Sequence, residues 1–266
     1  MTRSRLLLAG CAFALAGGAV GAYATPEQTV PLLRPSVLAT YPHDRTAFTQ
    51  GLVLHQRALY ESTGQYAKSD VRRVRLATGR VVRRWRFPER FFGEGLAAVG
   101  DRLYALTYRE RTAHVLGRQT FRVQRTFRYD GEGWGLCFDG RRLAMSNGSS
   151  TITFRDAITF LPTRKITVRL PGGTPVAGLA PGAVENINEL ECVGSSIYAN
   201  VWLTDLILKI DARTGVVQAV IDAAGLLTGE EAKDADVLNG IAAFPGGERF
   251  LLTGKYWPKL FLVRFQ

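Results

Sequence analysis

The sequence is short of the residues and patterns on which several common functions depend. It contains three histidines in 266 residues, His43, His55 and His114, and their spacing is not that of a metal site. Beyond the N-terminal region, almost no segment has the helical period of apolar residues, apart from "GEEAKDADVL" at 229–238. These shortages favour an all-β fold and leave no sequence signature of a zinc centre.

Acidic residues are also scarce relative to basic ones. The chain has 23 Asp and Glu against 34 Lys and Arg, a formal charge of +11. Such a surface can bind nucleic acid, an anionic envelope or acidic substrates. The arginines alternate with apolar residues, as in "VRRVRLATGRVVRRWRF" at 71–87, which is typical of the exposed face of half-buried strands. No nucleic-acid motif accompanies them, so we expect no nucleic-acid partner.

The long apolar run of the chain lies at its N-terminus. Two arginines precede apolar and small residues, and Ala22-Tyr23-Ala24 is a cleavage signal, so residues 1–24 are predicted to be a secretory signal peptide. Two alternatives stay open, because Cys11 fits a lipidation site and the run approaches the length of a short membrane span. We expect a periplasmic or secreted protein with one domain at 25–266, associated with a membrane only if the leader is uncleaved or lipidated.

Two cysteines, Cys137 and Cys192, follow this leader. Export would permit a disulfide between them. Each lies in an apolar strand-like segment, however, and the repeat alignment described next places them one residue out of phase, where side chains point to opposite strand faces. We expect two separate buried thiols rather than a bridge.

Five related segments recur along the chain. They read "FTQGL" at 48–52, "FGEGL" at 92–96, "GWGL" at 133–136, "INEL" at 187–190 and "LNGI" at 238–241. Each is followed by a turn and a second strand-like run, then by two more alternating runs joined by a turn. Four strands per unit at a period of about 40 to 50 residues is the signature of a β-propeller. We predict an all-β, five-bladed β-propeller with four-stranded antiparallel blades.

The last unit lacks its fourth strand. The unassigned apolar segment "PSVLATYP" at 35–42 has the right length to supply it, and this pairing of N- and C-terminal strands would close the ring. A Pro/Gly insertion at 171–184 lengthens the step into the fourth unit, and long loops on a rigid scaffold often line sites.

The repeat brings chemically diverse side chains to the predicted central channel. The aligned position of the first strand forms one ring, and the end of the second strand forms another: Gln50, Glu94, Trp134, Asn188 and Asn239, then Gly64, Tyr108, Gly148, Trp202 and Lys255. Taken singly, each residue has an ordinary structural explanation in a turn, a channel or a blade interface. Together they indicate an aromatic-walled concavity with a few convergent polar groups, which is the usual form of a binding site.

Eight segments in this order carry a family resemblance: "AFTQGL", "FFGEGL", "LYALTY", "GEGWGL", "INELE", "ANVW", "VLNGIA" and "LLTGKYWPKLFLV". From about Leu38 to Phe265 the chain resembles the glutaminyl-peptide cyclotransferases of the plant and bacterial type. The resemblance implies a catalytic five-bladed propeller that converts the N-terminal glutamine of peptides or proteins into pyroglutamate with loss of ammonia. It also implies no cofactor and no catalytic metal, in agreement with the histidine spacing.

The implied reaction suits these residues. The free α-amine attacks the side-chain carboxamide of its own residue, so holding the substrate curled supplies much of the rate. One carboxyl group can accept a proton from the amine and then give it to the departing nitrogen. Burial of Glu94 beside Phe92 should raise its pKa toward the working pH, and the flanking glycines should allow close approach of backbone and substrate.

The resemblance assigns the other residues to the substrate. It implies polar contacts from Gln50, Asn188 and Lys255, walls from Trp134, Trp202 and Tyr108, and an apolar lining from Phe48 and Phe92. Tyr108 stands where the family favours Trp, which leaves the fine substrate preference open. Asn239 has a structural role or a channel water as equal alternatives.

Two other functions stay open from the sequence. A non-catalytic periplasmic propeller would use the same channel mouth to hold a peptide or a sugar. A propeller hydrolase or lactonase would hold a central calcium with Glu94, Asn188 and Asn239, near Glu189 and Glu191, although Lys255 opposes a divalent ion. No feature signals an oligomer, and we expect a monomer.

Overall fold

The computed structural model describes residues 29–172, 176 and 178–266. The predicted signal peptide and the alternatives at Cys11 lie outside the described residues. Two strands precede the first blade, β1 (Leu32–Leu33) and β2 (Pro35–Pro42), and both pair with strands from the far end of the chain.

The next twelve strands build three blades of four consecutive antiparallel strands. Blade 1 contains β3 (Thr49–His55), β4 (Ala58–Thr63), β5 (Asp70–Arg75) and β6 (Arg80–Arg86), with a 3₁₀ turn at Leu76–Thr78. Blade 2 contains β7 (Gly93–Val99), β8 (Arg102–Thr107), β9 (Thr112–Gly117) and β10 (Val123–Arg128). Blade 3 contains β11 (Leu136–Phe138), β12 (Arg142–Met145), β13 (Thr151–Asp156) and β14 (Pro162–Thr167).

The remaining strands complete the ring. The insertion between blades 3 and 4 carries the short pair β15 (Arg169–Leu170) and β16 (Gly182–Ala183). Blade 4 contains β17 (Ile187–Val193), β18 (Ser196–Val201), β19 (Leu206–Asp211) and β20 (Val217–Asp222). After the one-turn helix α1 (Gly229–Ala232), blade 5 contains β21 (Leu238–Ala243), β22 (Phe250–Gly254) and β23 (Lys259–Phe265).

The N-terminal segment closes the ring as the sequence predicted. Strand β2 pairs antiparallel with β23 and supplies the fourth strand of blade 5. Strand β1 adds a parallel fifth strand to blade 4 by pairing with β20, which the sequence did not indicate. The described residues therefore form a five-bladed β-propeller, and the predicted fold class is confirmed.

The strands follow the apolar pattern of the sequence from the hub outward. Strand β4, second from the channel, is buried along its whole length, whereas the outermost strand β6 exposes all four of its arginines. The turn between β3 and β4 has two residues, Gln56 and Arg57, at φ 49° and 62°. Two consecutive positive φ values match the twist of a hairpin, so this tight turn connects the strands without splaying them.

A disulfide joins Cys137 of β11 to Cys192 of β17, with Cα atoms 5.4 Å apart, so the expectation of two separate thiols is wrong. Neighbouring blades stack face to face, so each blade has one face toward the preceding blade and one toward the following blade. The face of β11 toward blade 4 therefore meets the face of β17 toward blade 3, and these are opposite faces of equivalent strands. Gly135, two residues before Cys137, confirms this direction because a Cβ there would collide with the Asn188 carbonyl of blade 4. The one-residue offset that we read as separating the cysteines is therefore what brings them together.

No helix within the described ranges is long and apolar enough to span a membrane.

Candidate active site

A cavity of about 330 Å³ opens at one mouth of the central channel. Nine of the ten predicted site residues line it: Phe48, Gln50, Phe92, Glu94, Tyr108, Trp134, Asn188, Trp202 and Lys255. They come from all five blades, so the repeat has brought residues up to 207 positions apart in the sequence into one pocket, from Phe48 to Lys255. Its volume is near the small end of the range for ligand pockets, which suits one or two amino-acid residues.

A repeated irregularity of the inner strands turns the polar residues toward the channel. In blades 1, 2, 4 and 5 the pairing of the first two strands shifts register at the aligned position, next to Gln50, Glu94, Asn188 and Asn239. A bulge of this kind adds unpaired residues to one strand and re-aims their side chains. The bulges therefore explain why these side chains leave the strand alternation and converge.

The glycines beside Glu94 make room for the protein itself. A Cβ on Gly95 would collide with the Trp134 carbonyl of blade 3, and the Gly95 amide donates a hydrogen bond to that oxygen at 2.6 Å. A Cβ on Gly93 would collide with the Thr63 carbonyl of blade 1. Both glycines thus permit neighbouring backbones to approach at the hub, a reason that the sequence did not reveal.

Aromatic rings form a continuous wall around the cavity. Ring centroids are 6.0 Å apart for Phe48 and Phe92, 5.9 Å for Phe92 and Tyr108, 6.4 Å for Tyr108 and Trp134, and 5.6 Å for Trp134 and Trp202. All four contacts are edge-to-face or tilted, which is the favoured geometry for aromatic pairs. The wall is therefore held by its own contacts before any ligand binds.

Glycines of the second ring leave space for this wall. A Cβ on Gly64 would collide with the Phe92 ring, and a Cβ on Gly148 would collide with the indole of Trp134. In the predicted second ring, Tyr108, Trp202 and Lys255 therefore line the cavity, and the two glycines leave room for the aromatic rings that also line it.

Glu94 is buried, with 4% of its surface exposed, at the polar end of this pocket. Its Oε1 accepts a hydrogen bond from Nε2 of Gln50 at 3.0 Å, and its Oε2 has no partner among the described residues. Burial raises the pKa of Glu94 well above its usual value; the charge of Lys255 opposes this rise, and the carboxylates of Glu132 and Glu110 add to it. A raised pKa makes the ionised carboxyl group a stronger proton acceptor than an exposed glutamate.

Among the described residues that line the cavity, Lys255 has the one basic side chain. Its Nζ lies 4.5 Å from the centroid of the Phe48 ring, over the ring face. Burial lowers the pKa of Lys255, while Glu94 and Asp236 act in the opposite direction. The pocket therefore contains a buried acid and a buried base whose charges support each other.

Two amides complete the polar end, and they differ in position. Asn188 lines the cavity, and its Oδ1 has no partner among the described residues. Asn239 is fully buried beneath it, where Nδ2 donates to the Thr49 carbonyl at 2.9 Å and to Oε1 of Gln50 at 3.2 Å. Asn239 therefore does not line the cavity, and it holds the glutamine that in turn holds Glu94.

Sequence reasoning missed several residues of the site. Asp236 and Leu203 also line the cavity. Glu132 accepts a hydrogen bond from Nε1 of Trp134 at 3.0 Å and another from Nε of Arg109 at 3.1 Å, so it orients the indole from the rim. None of these residues occupies an aligned repeat position, and for that reason the repeat could not reveal them.

Two further acids near the hub are used structurally. Both oxygens of Glu189 accept backbone hydrogen bonds, from Leu52 of blade 1 at 3.1 Å and from Ile241 of blade 5 at 3.0 Å. Glu191 accepts one from Ala243 at 2.8 Å. Within the described residues no group of three or more His, Cys, Asp or Glu is arranged to hold a metal ion. The described part of the insertion at 171–184 does not contribute to the cavity lining.

Comparison with known proteins agrees with this architecture. A family model described as glutamine cyclotransferase matches residues 9–265. The chain is 36% identical over 235 residues to glutaminyl-peptide cyclotransferase of Arabidopsis thaliana, covering 86% of this chain and 71% of that protein. It is also similar to the crystal structure of Myxococcus xanthus glutaminyl cyclase, with a TM-score of 0.77 and 40% identity over 89% of this chain and 98% of that chain.

The fold and the pocket together define a five-bladed propeller with an aromatic-walled cavity at the channel mouth. The chain belongs to the glutamine cyclotransferase family. The resemblance recognised in its sequence is thereby confirmed, and so is the prediction of an enzyme rather than a binding propeller without catalysis.

Proposed function

We propose that this protein converts the N-terminal glutamine of peptides and proteins into pyroglutamate and ammonia, with Glu94 as general acid and base. One observation carries the assignment. Glu94 is the buried carboxyl group of an aromatic-walled cavity, with one oxygen held by Gln50 and the other without a partner in the described part of the chain.

The cavity favours a folded glutamine side chain. The walls from Trp134 and Trp202 meet edge to face, and Phe48 and Phe92 continue the apolar surface. Confining the substrate in a curled form brings the α-amine against the side-chain carbonyl carbon, and intramolecular closure of this kind needs little further activation. The wall thus supplies proximity, and the polar end supplies proton transfer.

The proton path needs one carboxylate. As the α-nitrogen bonds to the carbonyl carbon of the side chain, the unpartnered oxygen of Glu94 accepts the proton that this nitrogen loses. The same proton then passes to the amide nitrogen of the tetrahedral intermediate, the carbon–nitrogen bond breaks, and ammonia leaves. Glu94 ends as the carboxylate with which it began, and its raised pKa suits both transfers.

The other polar residues have distinct roles in this proposal. Gln50 fixes the orientation of the Glu94 carboxylate, and Asn239 fixes Gln50. Lys255 stabilises the negative charge that develops on the carbonyl oxygen, since a buried cation acts strongly in a site that excludes water. The free Oδ1 of Asn188 accepts a hydrogen bond from an N–H group of the substrate.

The assignment is tested by replacing one carboxylate oxygen of Glu94 with an amide nitrogen, which cannot accept the proton. Purified wild-type protein should release ammonia from a peptide that begins with glutamine and lower the peptide mass accordingly. Glu94→Gln should reduce kcat by at least about 10²-fold, the usual range for a general acid–base group, with little change in thermal stability. Glu248→Gln, which changes an exposed glutamate, is the matched control. Activity of Glu94→Gln within a few-fold of wild type would refute the role.

Metal dependence is tested in the same assay. The proposed reaction requires no metal ion or other cofactor, so the rate should be unchanged after dialysis against EDTA. A loss of activity that added calcium or zinc restores would contradict this part of the proposal.

We also propose that the protein acts outside the cytoplasm, as a monomer, after export by residues 1–24. The disulfide between Cys137 and Cys192 supports this location, because such bonds persist in oxidising compartments. Cell fractionation, the N-terminal mass of the purified protein and its sedimentation would test compartment, cleavage after Ala24 and oligomeric state.

A further inference from the structure

A second cavity, of about 520 Å³, lies on the same face of the propeller as the active-site mouth. The mouth lies on the face where the first strand of each blade begins and the second strand ends. In blade 1, Gln50 lies near the start of β3 and Gly64 directly follows the end of β4. The third strand of a blade begins and the fourth ends on that same face. Asp70 begins β5 and Arg86 ends β6, and both line the second cavity, so it extends outward over blade 1.

The two cavities adjoin through shared contacts. Gly64 lines the second cavity, and the space where its side chain would stand is filled by the Phe92 and Phe48 rings of the active site. Tyr256 also lines the second cavity, and its ring packs against Phe48 with centroids 5.2 Å apart. A chain that leaves the active site over blade 1 therefore enters the second cavity directly.

The second cavity is strongly basic. Its lining includes the five cationic residues Arg45, Lys68, Arg72, Arg84 and Arg86 against the single acid Asp70. Asp70 is already engaged, because its carboxylate pairs with Arg72 at 2.6 Å and with Arg84 at 2.9 Å. The exposed residues Arg45, Lys68 and Arg86 have no side-chain hydrogen bond or ion pair to any described residue, so their charges are available to a ligand.

The rim over blade 2 differs, because it carries two carboxylates, Glu132 and Glu110, beside its arginines. Arg109 forms an ion pair with Glu132 at 3.1 Å, and Glu110 accepts a hydrogen bond from the hydroxyl of Tyr66 at 3.0 Å. An incoming anion would meet both of these carboxylates there, whereas over blade 1 the single carboxylate of the cavity is already paired with two arginines.

We infer that this basic cavity binds carboxylate groups of the peptide substrate a few residues after its N-terminal glutamine, so that acidic peptides are the preferred substrate class. The inference rests on the proposed cyclisation at Glu94. Strands β3 and β6 are three strand spacings apart, about 14 Å, which an extended peptide covers in about four residues. The preferred acidic positions are therefore about the third to fifth.

The test compares C-terminally amidated hexapeptides that begin with Gln-Ala and carry three Glu, three Ala or three Lys at positions three to five. At low salt we expect kcat/KM to be about 3- to 10-fold higher for the acidic peptide than for the alanine peptide, since each exposed ion pair contributes little. The lysine peptide should be the poorest substrate. The acidic advantage should fall steeply near 1 M salt, where the screening length is about 3 Å.

Two triple variants locate the effect. Arg45→Gln/Lys68→Gln/Arg86→Gln should remove most of the acidic preference while leaving kcat/KM for the alanine peptide nearly unchanged. Arg57→Gln/Arg73→Gln/Arg75→Gln removes the same charge from a cavity at the opposite end of the β4–β5 strands, and it should keep the preference. Equal losses in both variants would show that net charge alone acts and would overturn the inference.

The remaining outcomes are also decisive. An alanine peptide with a free C-terminal carboxylate shows whether that group can replace acidic side chains. If its kcat/KM exceeds that of the amidated alanine peptide, and the Arg45→Gln/Lys68→Gln/Arg86→Gln variant abolishes this difference, the result supports carboxylate binding in the same cavity. If the wild type acts equally on acidic and alanine peptides, the inference fails and the proposed function stands. If no glutamine peptide is converted, both fail.

Discussion

A buried ion pair at the seam between blades 5 and 1 gives the sharpest stability prediction. His43 follows strand β2, and its Nε2 lies 3.0 Å from Oε1 of Glu61 in β4. Its Nδ1 lies 2.8 Å from the Trp257 carbonyl. A carbonyl and a carboxylate both accept, so both ring nitrogens carry protons and His43 is an imidazolium. The two side chains are 2% and 1% exposed, so the pair is cut off from water at the point where the ring closes.

The expected cost follows from this burial. Removing one partner of a buried pair leaves an uncompensated charge and typically costs about 3–5 kcal/mol. For a domain of this size, 1 kcal/mol shifts the melting temperature by about 2–4 °C, so His43→Leu and Glu61→Met should each lower it by about 6–20 °C. The double variant removes both charges, and it should cost no more than the more damaging single change.

The pH dependence has a definite sign. Burial alone would lower the pKa of His43, but the charge and hydrogen bond of Glu61 outweigh it, and the pKa is raised above 6.5. The stabilisation is therefore complete below pH 6.5 and is lost as the pH rises through the raised pKa of the folded state.

Thermal melts of the wild type, both single variants and the double variant, between pH 5.5 and 9, measure all of these effects. The wild type should lose stability across the alkaline side of this range, and His43→Leu should lack that slope. Strictly additive losses in the double variant, or an unchanged slope in His43→Leu, would refute the reasoning.

Three further predictions concern other parts of the molecule. Cys137→Ser should cost about 4 kcal/mol, from chain entropy across a sequence separation of 55 residues, and reductant should lower the melting temperature of the wild type but not of the variant. Lys255→Gln should move the acid limb of the kcat–pH profile to higher pH, because the lysine charge lowers the pKa of Glu94; a limb that stays or moves down contradicts this. His114→Phe should stabilise the fold by about 1–3 kcal/mol in urea titrations at pH 7, because both ring nitrogens are buried without partners among aromatic rings. Its advantage should grow as the pH falls below 6.5, because burial lowers the pKa of folded His114 to about 4 and only the unfolded wild type gains a proton there.

Several structural features were predictable because they depend on local patterns. Alternation and turn residues define the strands, and the five-fold recurrence of the inner-strand motif defines the number of blades. The apolar segment at 35–42 could be matched to the incomplete last blade from its length, and β2 occupies that segment. The repeat alignment also selected seven of the cavity-lining residues, since equivalent positions of a propeller share one radius, and the family resemblance added Phe48 and Phe92.

Other features depend on contacts between blades, which leave no local pattern. The disulfide was wrongly excluded because strand phase within one sheet does not show which faces of two neighbouring sheets meet. Glu132, which orients Trp134, and Asp236, beside Lys255, lie in connecting segments outside the repeat. Strand β1 has only two residues, which is too short for an apolar pattern to predict that it pairs with β20.

By itself, the sequence determined the propeller, its closure and the identity of the side chains at the hub, because all three follow from periodicity and residue type. Only the tertiary structure decided how those side chains are used. Strand pairing produces the bulges that direct Glu94 and Asn188 into the cavity. Packing between strands places Asn239 outside the cavity lining, where it hydrogen-bonds Gln50. The environment that raises the pKa of Glu94 is likewise assembled from five blades, and no single segment contains it.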